Sequence, residues 1–207
     1  NNGSSASREN YGVFSFNLNA LFNPSSKGGY IWSRILPARP QLYGQYDGFN
    51  YLGFGMLALL GVLCAAAVVL AVRSKAGRAA LAGLLRRNLV LILGMAFMTL
   101  FAITNVVCFD DVELLNIPLP EGLVKLCGIF RASGRMFYPV YYVLMTACIV
   151  GLARLLRRVG KAALYPAVLV LVAAVQLFDL SAMIAEKHTA MAETAAKPQP
   201  YPQELVD

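Results

Sequence analysis

Four long runs of apolar residues, each without a charge, divide the chain: Leu52–Val72, Leu89–Phe109, Met136–Ala153 and Ala162–Phe178. They hold 21, 21, 18 and 17 residues. A helix rises 1.5 Å per residue, so about 20 residues cross roughly 30 Å of hydrocarbon. The first two runs are long enough, and the last two fall at the short end of the spanning range. A buried soluble helix explains one such run; four in a chain of 207 residues do not fit inside a globule of that size. The pattern predicts an all-α integral membrane protein, with about four transmembrane helices and extracytoplasmic loops between them.

Composition agrees. The chain is 58% hydrophobic and 14% charged, with a mean hydropathy of +0.59. Soluble domains carry about 25% charged residues, so this chain has too few to cover a water-facing surface. Charge placement then gives a direction. Arg73, Lys75, Arg78, Arg86 and Arg87 lie between the first two runs, and Arg154, Arg157, Arg158 and Lys161 between the last two. These short loops, 73–88 and 154–161, contain no acid, and Lys/Arg-rich short loops face the cytoplasm. Residues 1–51, 110–135 and 179–207 then lie outside and carry all eleven carboxylates. Topology uses up the net charge of +7, so membrane lipid rather than nucleic acid is the expected partner. The Ala- and Leu-rich stretch Arg73–Arg87 reads as a short surface helix on anionic lipid.

The segments between the runs carry the candidate chemistry. Tyr11–Phe22 alternates aromatic and polar residues and is too short to span; it suits an interfacial segment or a buried strand or turn. Asn23–Gly29 is turn chemistry. Gln41–Tyr51 forms an aromatic belt with amides and one carboxylate, Asp47. That aspartate either caps the first helix or, with Tyr46 and Asn50, contacts a sugar. Thr99, Thr104 and Asn105 read as helix-packing groups. In the outer loop, Asp110, Asp111 and Glu113 precede the helix-breaking Ile117–Pro120, and Glu121–Ile129 could form a short amphipathic helix. Arg131 and Arg135 then flank Ala132-Ser133-Gly134 just before the third run. Two guanidinium groups at the water–lipid boundary can hold a phosphate bidentately. The alternative is that they pair with the loop's own carboxylates. Gln176 and Asp179 add a polar pair to the same layer, and Ser181–Ala196 reads as a helix leaving the membrane.

No metal or cofactor is expected: there is no CxxC, and the lone His188 sits in a polar tail. Cys108 and Cys127 share the outer side, and spacing leaves their bonding open. Asn1–Asn10 is a polar lead-in that does not resemble a signal peptide, and the other end runs out in the Pro-rich Lys197–Asp207. Both ends are therefore expected to be cut from a longer polytopic protein.

Gly44–Gly53 (GQYDGFNYLG) and Arg131–Tyr142 (RASGRMFYPVYY) resemble a family of bacterial polytopic membrane proteins of unassigned function. That family in turn looks like the membrane-embedded glycosyltransferases of the C superfamily. The resemblance covers roughly Tyr11 to Asp179 and matches the later part of such proteins. It implies a multi-pass protein of the bacterial inner membrane that handles a polyprenyl-phosphate-linked sugar at the extracytoplasmic face. Arg131 and Arg135 would hold the lipid phosphate, with Asp110 and Asp111 in the same outer layer, and Tyr46, Asp47 and Asn50 would contact sugar hydroxyls. Such enzymes carry their catalytic acid in a first outer loop that has no counterpart here, so no catalytic residue is assigned. A transporter or flippase component without transfer chemistry, or a structural membrane subunit, remains the alternative. Transporters place ionisable groups near the midplane, and none of the four runs has a charge inside.

Overall fold

A computed structural model gives the fold, which is described for residues 11–130 and 132–196. It is mostly helical: α1 (Phe54–Arg73), α2 (Lys75–Arg87), α3 (Leu89–Ile103), a hairpin of β1 (Val106–Phe109) and β2 (Val112–Asn116), α4 (Glu121–Cys127), α5 (Tyr138–Arg158) and α6 (Tyr165–Ala196). Three helical stretches, in α1, α5 and α6, are long and apolar enough to cross a membrane. The α2–α3 pair makes a fourth if its 70° bend is one broken span.

Local chemistry sets the breaks. Ser74 ends α1 in an extended conformation, and its hydroxyl accepts the Gly77 N–H to cap α2. Asn88 turns its amide back onto the Leu84 carbonyl, 2.8 Å away, and the bend falls there. Pro139 stands in the first turn of α5, where its missing N–H costs nothing.

α1 and α5 run side by side in the same direction, and α6 returns against α1. Leu52, Met56 and Leu59 pack on Cys148 and Leu152, with Val168 and Val172 of α6 against them. A Cβ on Gly151 would sit 3.1 Å from Leu63, and one on Gly55 would sit 2.6 Å from the Val172 carbonyl oxygen. A second cluster joins Phe16 and Ala20 to Ala102 of α3 and to Phe137 and Val140. Phe16 and Phe137 stack with ring centroids 4.1 Å apart. Away from these seams the helices present apolar surface: Val68, Phe97, Leu100, Val170, Leu171 and Phe178 are all exposed.

The structure departs from the sequence pattern in two places. The second apolar run is not one helix to Phe109. α3 stops at Ile103, because Thr104 takes a left-handed φ of 69°, and Val106–Phe109 pairs with Val112–Asn116 instead. Asp110, also left-handed at φ 55°, makes the turn, a conformation Asp tolerates better than most side chains. The last run, conversely, does not stop at Phe178. No Gly or Pro interrupts residues 167–196, and the Ala-, Glu- and Met-rich continuation has high helix propensity. α6 therefore extends past the apolar segment, and Lys187 Nζ lies 3.9 Å from the Tyr30 ring centroid. Tyr11–Phe22 is a buried series of turns. It is fastened to α3 by Phe16 N–H on the Ala102 carbonyl (2.8 Å) and to the hairpin by Leu18 N–H on the Cys108 carbonyl (3.0 Å).

Gly53, which enters α1 at φ 81°, tests this packing, because a Cβ there would lie 1.8 Å from Gln176 Nε2. Gly53→Ala is expected to cost about 2–3 kcal/mol from strain and clash. Gly61→Ala, in open space on the same helix, should be neutral or stabilising by up to about 1 kcal/mol. Thermal unfolding in detergent separates the two; equal effects would contradict the close approach of α1 and α6.

Candidate functional site

The two motifs singled out in the sequence meet in space, and their glycines let them. Gln45–Gly48 and Ser133–Phe137 each form a 3₁₀ turn. A Cβ on Gly134 would lie 2.8 Å from Gly48 Cα, and one on Gly48 would lie 2.7 Å from the Ser15 carbonyl oxygen. The Gly134 N–H donates to the Phe14 carbonyl at 2.9 Å, and the Ser133 hydroxyl reaches the same oxygen at 3.3 Å. The crossing sets Arg135 Nη2 3.1 Å from Asp47 Oδ1. The guanidinium is 58% exposed and the carboxylate 23%, so water screens the pair and holding it together adds little to stability.

The other sequence candidates divide. Tyr46 stands beside the pair, edge-on to Phe14 and Tyr43 and under Lys27. Asn50 is buried, its amide N–H₂ donating to the Gly48 carbonyl at 2.9 Å. Asp110 lies elsewhere, at the hairpin turn, and among the described residues it pairs with Arg39, not with Arg135. Arg39 Nε donates to Oδ1 at 2.8 Å and Nη2 to Oδ2 at 2.5 Å, with the Asn19 amide also on Oδ1. Asp111 and Glu113 are exposed. Arg131 lies outside the described residues. Cys108 and Cys127 are both free thiols. Among the described residues no three His, Cys, Asp or Glu side chains stand together as a metal site.

What the sequence reading did not assemble is a cleft of about 260 Å³ lined by Trp32, Phe49, Asn50, Tyr51, Tyr138, Tyr141, Tyr142, Gln176 and Leu180. Its walls come from the segment before α1, the first turns of α5 and the middle of α6. Tyr138, Tyr141 and Tyr142 share one face of α5 by their i, i+3, i+4 spacing, a signal legible in the sequence.

Two polar groups of α6 hold the walls. Gln176 donates to the Leu52 carbonyl at 2.9 Å and accepts the Met56 N–H at 3.2 Å, serving backbone that the start of α1 leaves unpaired. Asp179 is fully buried. Its carboxylate accepts the Tyr51 hydroxyl (2.7 Å), the Phe54 N–H (3.0 Å), the Ile35 N–H (3.3 Å) and the Ser33 hydroxyl. Burial pushes the Tyr51 phenol above its ordinary value; Ser33 works against that shift and Asp179 adds to it. The phenol therefore stays a donor. Asp179 is fully engaged, and among the described residues no Asp or Glu side chain lines the cleft.

A family described as a domain of unknown function, DUF6311, matches residues 1–181. The chain belongs to the DUF6311 family. No curated protein and no solved structure matches it. The matched span contains the whole DUF6311 cleft, both motifs and the Asp179 knot.

The Arg39–Asp110 pair makes stability pH-dependent. Arg39, aided by Asn19 and opposed by partial burial, holds the Asp110 carboxyl below its model-compound value of 3.8. A carboxyl depressed in the folded state stabilises fully above its unfolded pKa, and that contribution disappears as pH falls through the folded value. Unfolding in detergent should therefore become easier as pH drops below about 4. Asp110→Asn should be less stable than the parent at pH 7 and should lose less on acidification. An identical pH slope in the two proteins would contradict the assignment.

Proposed function

We propose that this chain is a membrane-embedded module that binds a polyprenyl-phosphate-linked sugar at its extracytoplasmic end, as part of a glycosyltransferase-like protein of the bacterial inner membrane. The aromatic cleft beside a half-exposed arginine carries the reading. Aromatic rings and amides suit a sugar, and an exposed guanidinium whose ion-pair partner among the described residues is the partly exposed Asp47 carboxylate can hold a lipid phosphate bidentately.

The position of this site supports it. Arg135 and Asp47 stand in the turns that precede α5 and α1, whereas Arg73, Arg154, Arg157 and Arg158 stand at the far ends of the same helices. Twenty-one residues of α5 put roughly 30 Å between the two sets. On this reading the cationic turns face the cytoplasm, and the exposed apolar faces between them meet lipid. Arg135, with Arg131 four residues earlier, takes the phosphate. Asp47 is displaced toward the sugar hydroxyls, and Tyr46 and Asn50 complete that side. Chemistry on the bound donor then requires a carboxylate from outside this cleft.

The test is Arg135→Ala in the full-length protein in its own bacterium. A lost charge-assisted contact of this kind corresponds to roughly a 10- to 100-fold loss of donor binding. With the protein present at parental level, cell-surface glycan should fall accordingly. Unchanged glycan would end the glycosyltransferase reading and favour a transport or structural role.

A further inference from the structure

The polar groups of the cleft fall into two sets. Trp32 Nε1 is already donated to the Ser26 hydroxyl at 3.0 Å, the Tyr51 hydroxyl to Asp179, the Tyr141 hydroxyl to the Tyr51 carbonyl at 3.2 Å, and both ends of Gln176 to the backbone of α1. These groups hold the wall together, each with a protein partner already in place. The second set is Asn50 Oδ1 with the hydroxyls of Tyr138 and Tyr142. Asn50 Oδ1 is buried without a hydrogen-bond partner. Its orientation is fixed, because Nδ2 faces the Gly48 carbonyl, which can only accept. An amide oxygen left in this state is costly unless something donates to it. Tyr138 and Tyr142 are exposed, and neither hydroxyl makes a hydrogen bond among the described residues.

We infer that the cleft seats an uncharged sugar ring, one hydroxyl of which donates to Asn50 Oδ1 while the phenols of Tyr138 and Tyr142 close over it. Asn50 Oδ1 only accepts, so the ligand must present a donor there, which an ether or an alkyl chain cannot do. Among the described residues no Lys, Arg, Asp or Glu side chain lines the cleft, so a carboxylate- or phosphate-bearing ring would be desolvated there without compensation. Aromatic walls match the apolar faces of a pyranose, and about 260 Å³ suits one ring rather than a chain of them. Asn50 Oδ1 is closed off from solvent, so the ring reaches it only when a rim side chain moves. Among the described residues nothing holds the hydroxyls of Tyr138 and Tyr142, so these are the rim rings free to move. The inference rests on the preceding proposal for the lipid carrier alone; the contact with the ring stands or falls separately.

Trp32 is the chain's only tryptophan and lines the cleft, so its emission reports occupancy directly. The full chain in detergent would be titrated with methyl hexopyranosides, the corresponding methyl hexuronide, a short-chain prenyl phosphate and the same prenyl phosphate bearing a hexose. A saturable shift is expected with at least one neutral hexoside, at least about tenfold weaker with the hexuronide. Tyr138→Phe/Tyr142→Phe, which removes only exposed hydroxyls, should weaken it about tenfold. Asn50→Ala should abolish it, and the tyrosine variant keeps the test decisive if Asn50→Ala does not fold. Equal response to the hexuronide would overturn the inference, as would no saturable response to any sugar. If the neutral hexoside binds but attaching it to prenyl phosphate gains nothing, the cleft assignment stands and the polyprenyl-phosphate reading fails.

Discussion

A carboxylate buried without a cation organises the outer end of this molecule. Removing an ion from water is expensive, and Asp179 offsets that cost with donors from three separate parts of the chain. The Ser33 hydroxyl and Ile35 N–H bring in the loop, the Tyr51 hydroxyl brings in the belt, and the Phe54 N–H brings in the first turn of α1. The last contact sets the negative charge at a helix N-terminus, where unpaired N–H groups and the macrodipole favour it. Every donor lies distant in sequence from Asp179, so the hydrogen bonds form only when α6, α1 and the loop have docked. Trp32, Tyr51, Gln176 and Leu180 of the cleft are neighbours of those donors and of Asp179 itself.

The other wall depends on two missing side chains. Gly48 and Gly134 let two 3₁₀ turns cross with their backbones nearly touching, which sets Asn50 and Phe49 across from Tyr138 and brings Asp47 to Arg135. The cleft is thus assembled from rigid pieces: a buried carboxylate on one side, a glycine crossing on the other. Its aromatic rings fill the space between them. A site made this way is largely pre-formed, as ligand clefts tend to be, and only the rim tyrosines are left to adjust.

Much of this was legible in the sequence, and the misses have physical causes. Apolar runs announced the long helices, because no charge interrupts Leu52–Val72 or Met136–Ala153. The end of α3 was not legible: Val106–Phe109 is as apolar as the helix before it, and only the left-handed Thr104 and the pairing with β2 turn it into a strand. The helix over Ser181–Ala196 was expected; what was not legible is that it joins the last apolar run without a break as one α6, since helix propensity carries on where hydropathy stops. Arg135 and Asp47 were both recognisable as candidates, but their pairing across 88 residues follows from the glycine crossing. Asp110 looked like a partner for nearby arginines and instead takes Arg39, 71 residues away. Gln176 read as half of a polar pair with Asp179, and Trp32 was not singled out, until the fold set both around one space.

The two-ended character of the molecule is what the functional reading needs above all. Attachment of a membrane-impermeant maleimide to single cysteines, in a variant lacking Cys64, Cys108, Cys127 and Cys148, measures it most directly. Tyr43→Cys, exposed beside the cleft motif, and Gly83→Cys, within the basic helix α2, mark the two ends. The account predicts that the first is labelled in intact bacterial spheroplasts and the second only after the membrane is opened. Labelling of both from the same side, or of neither until lysis, would contradict it.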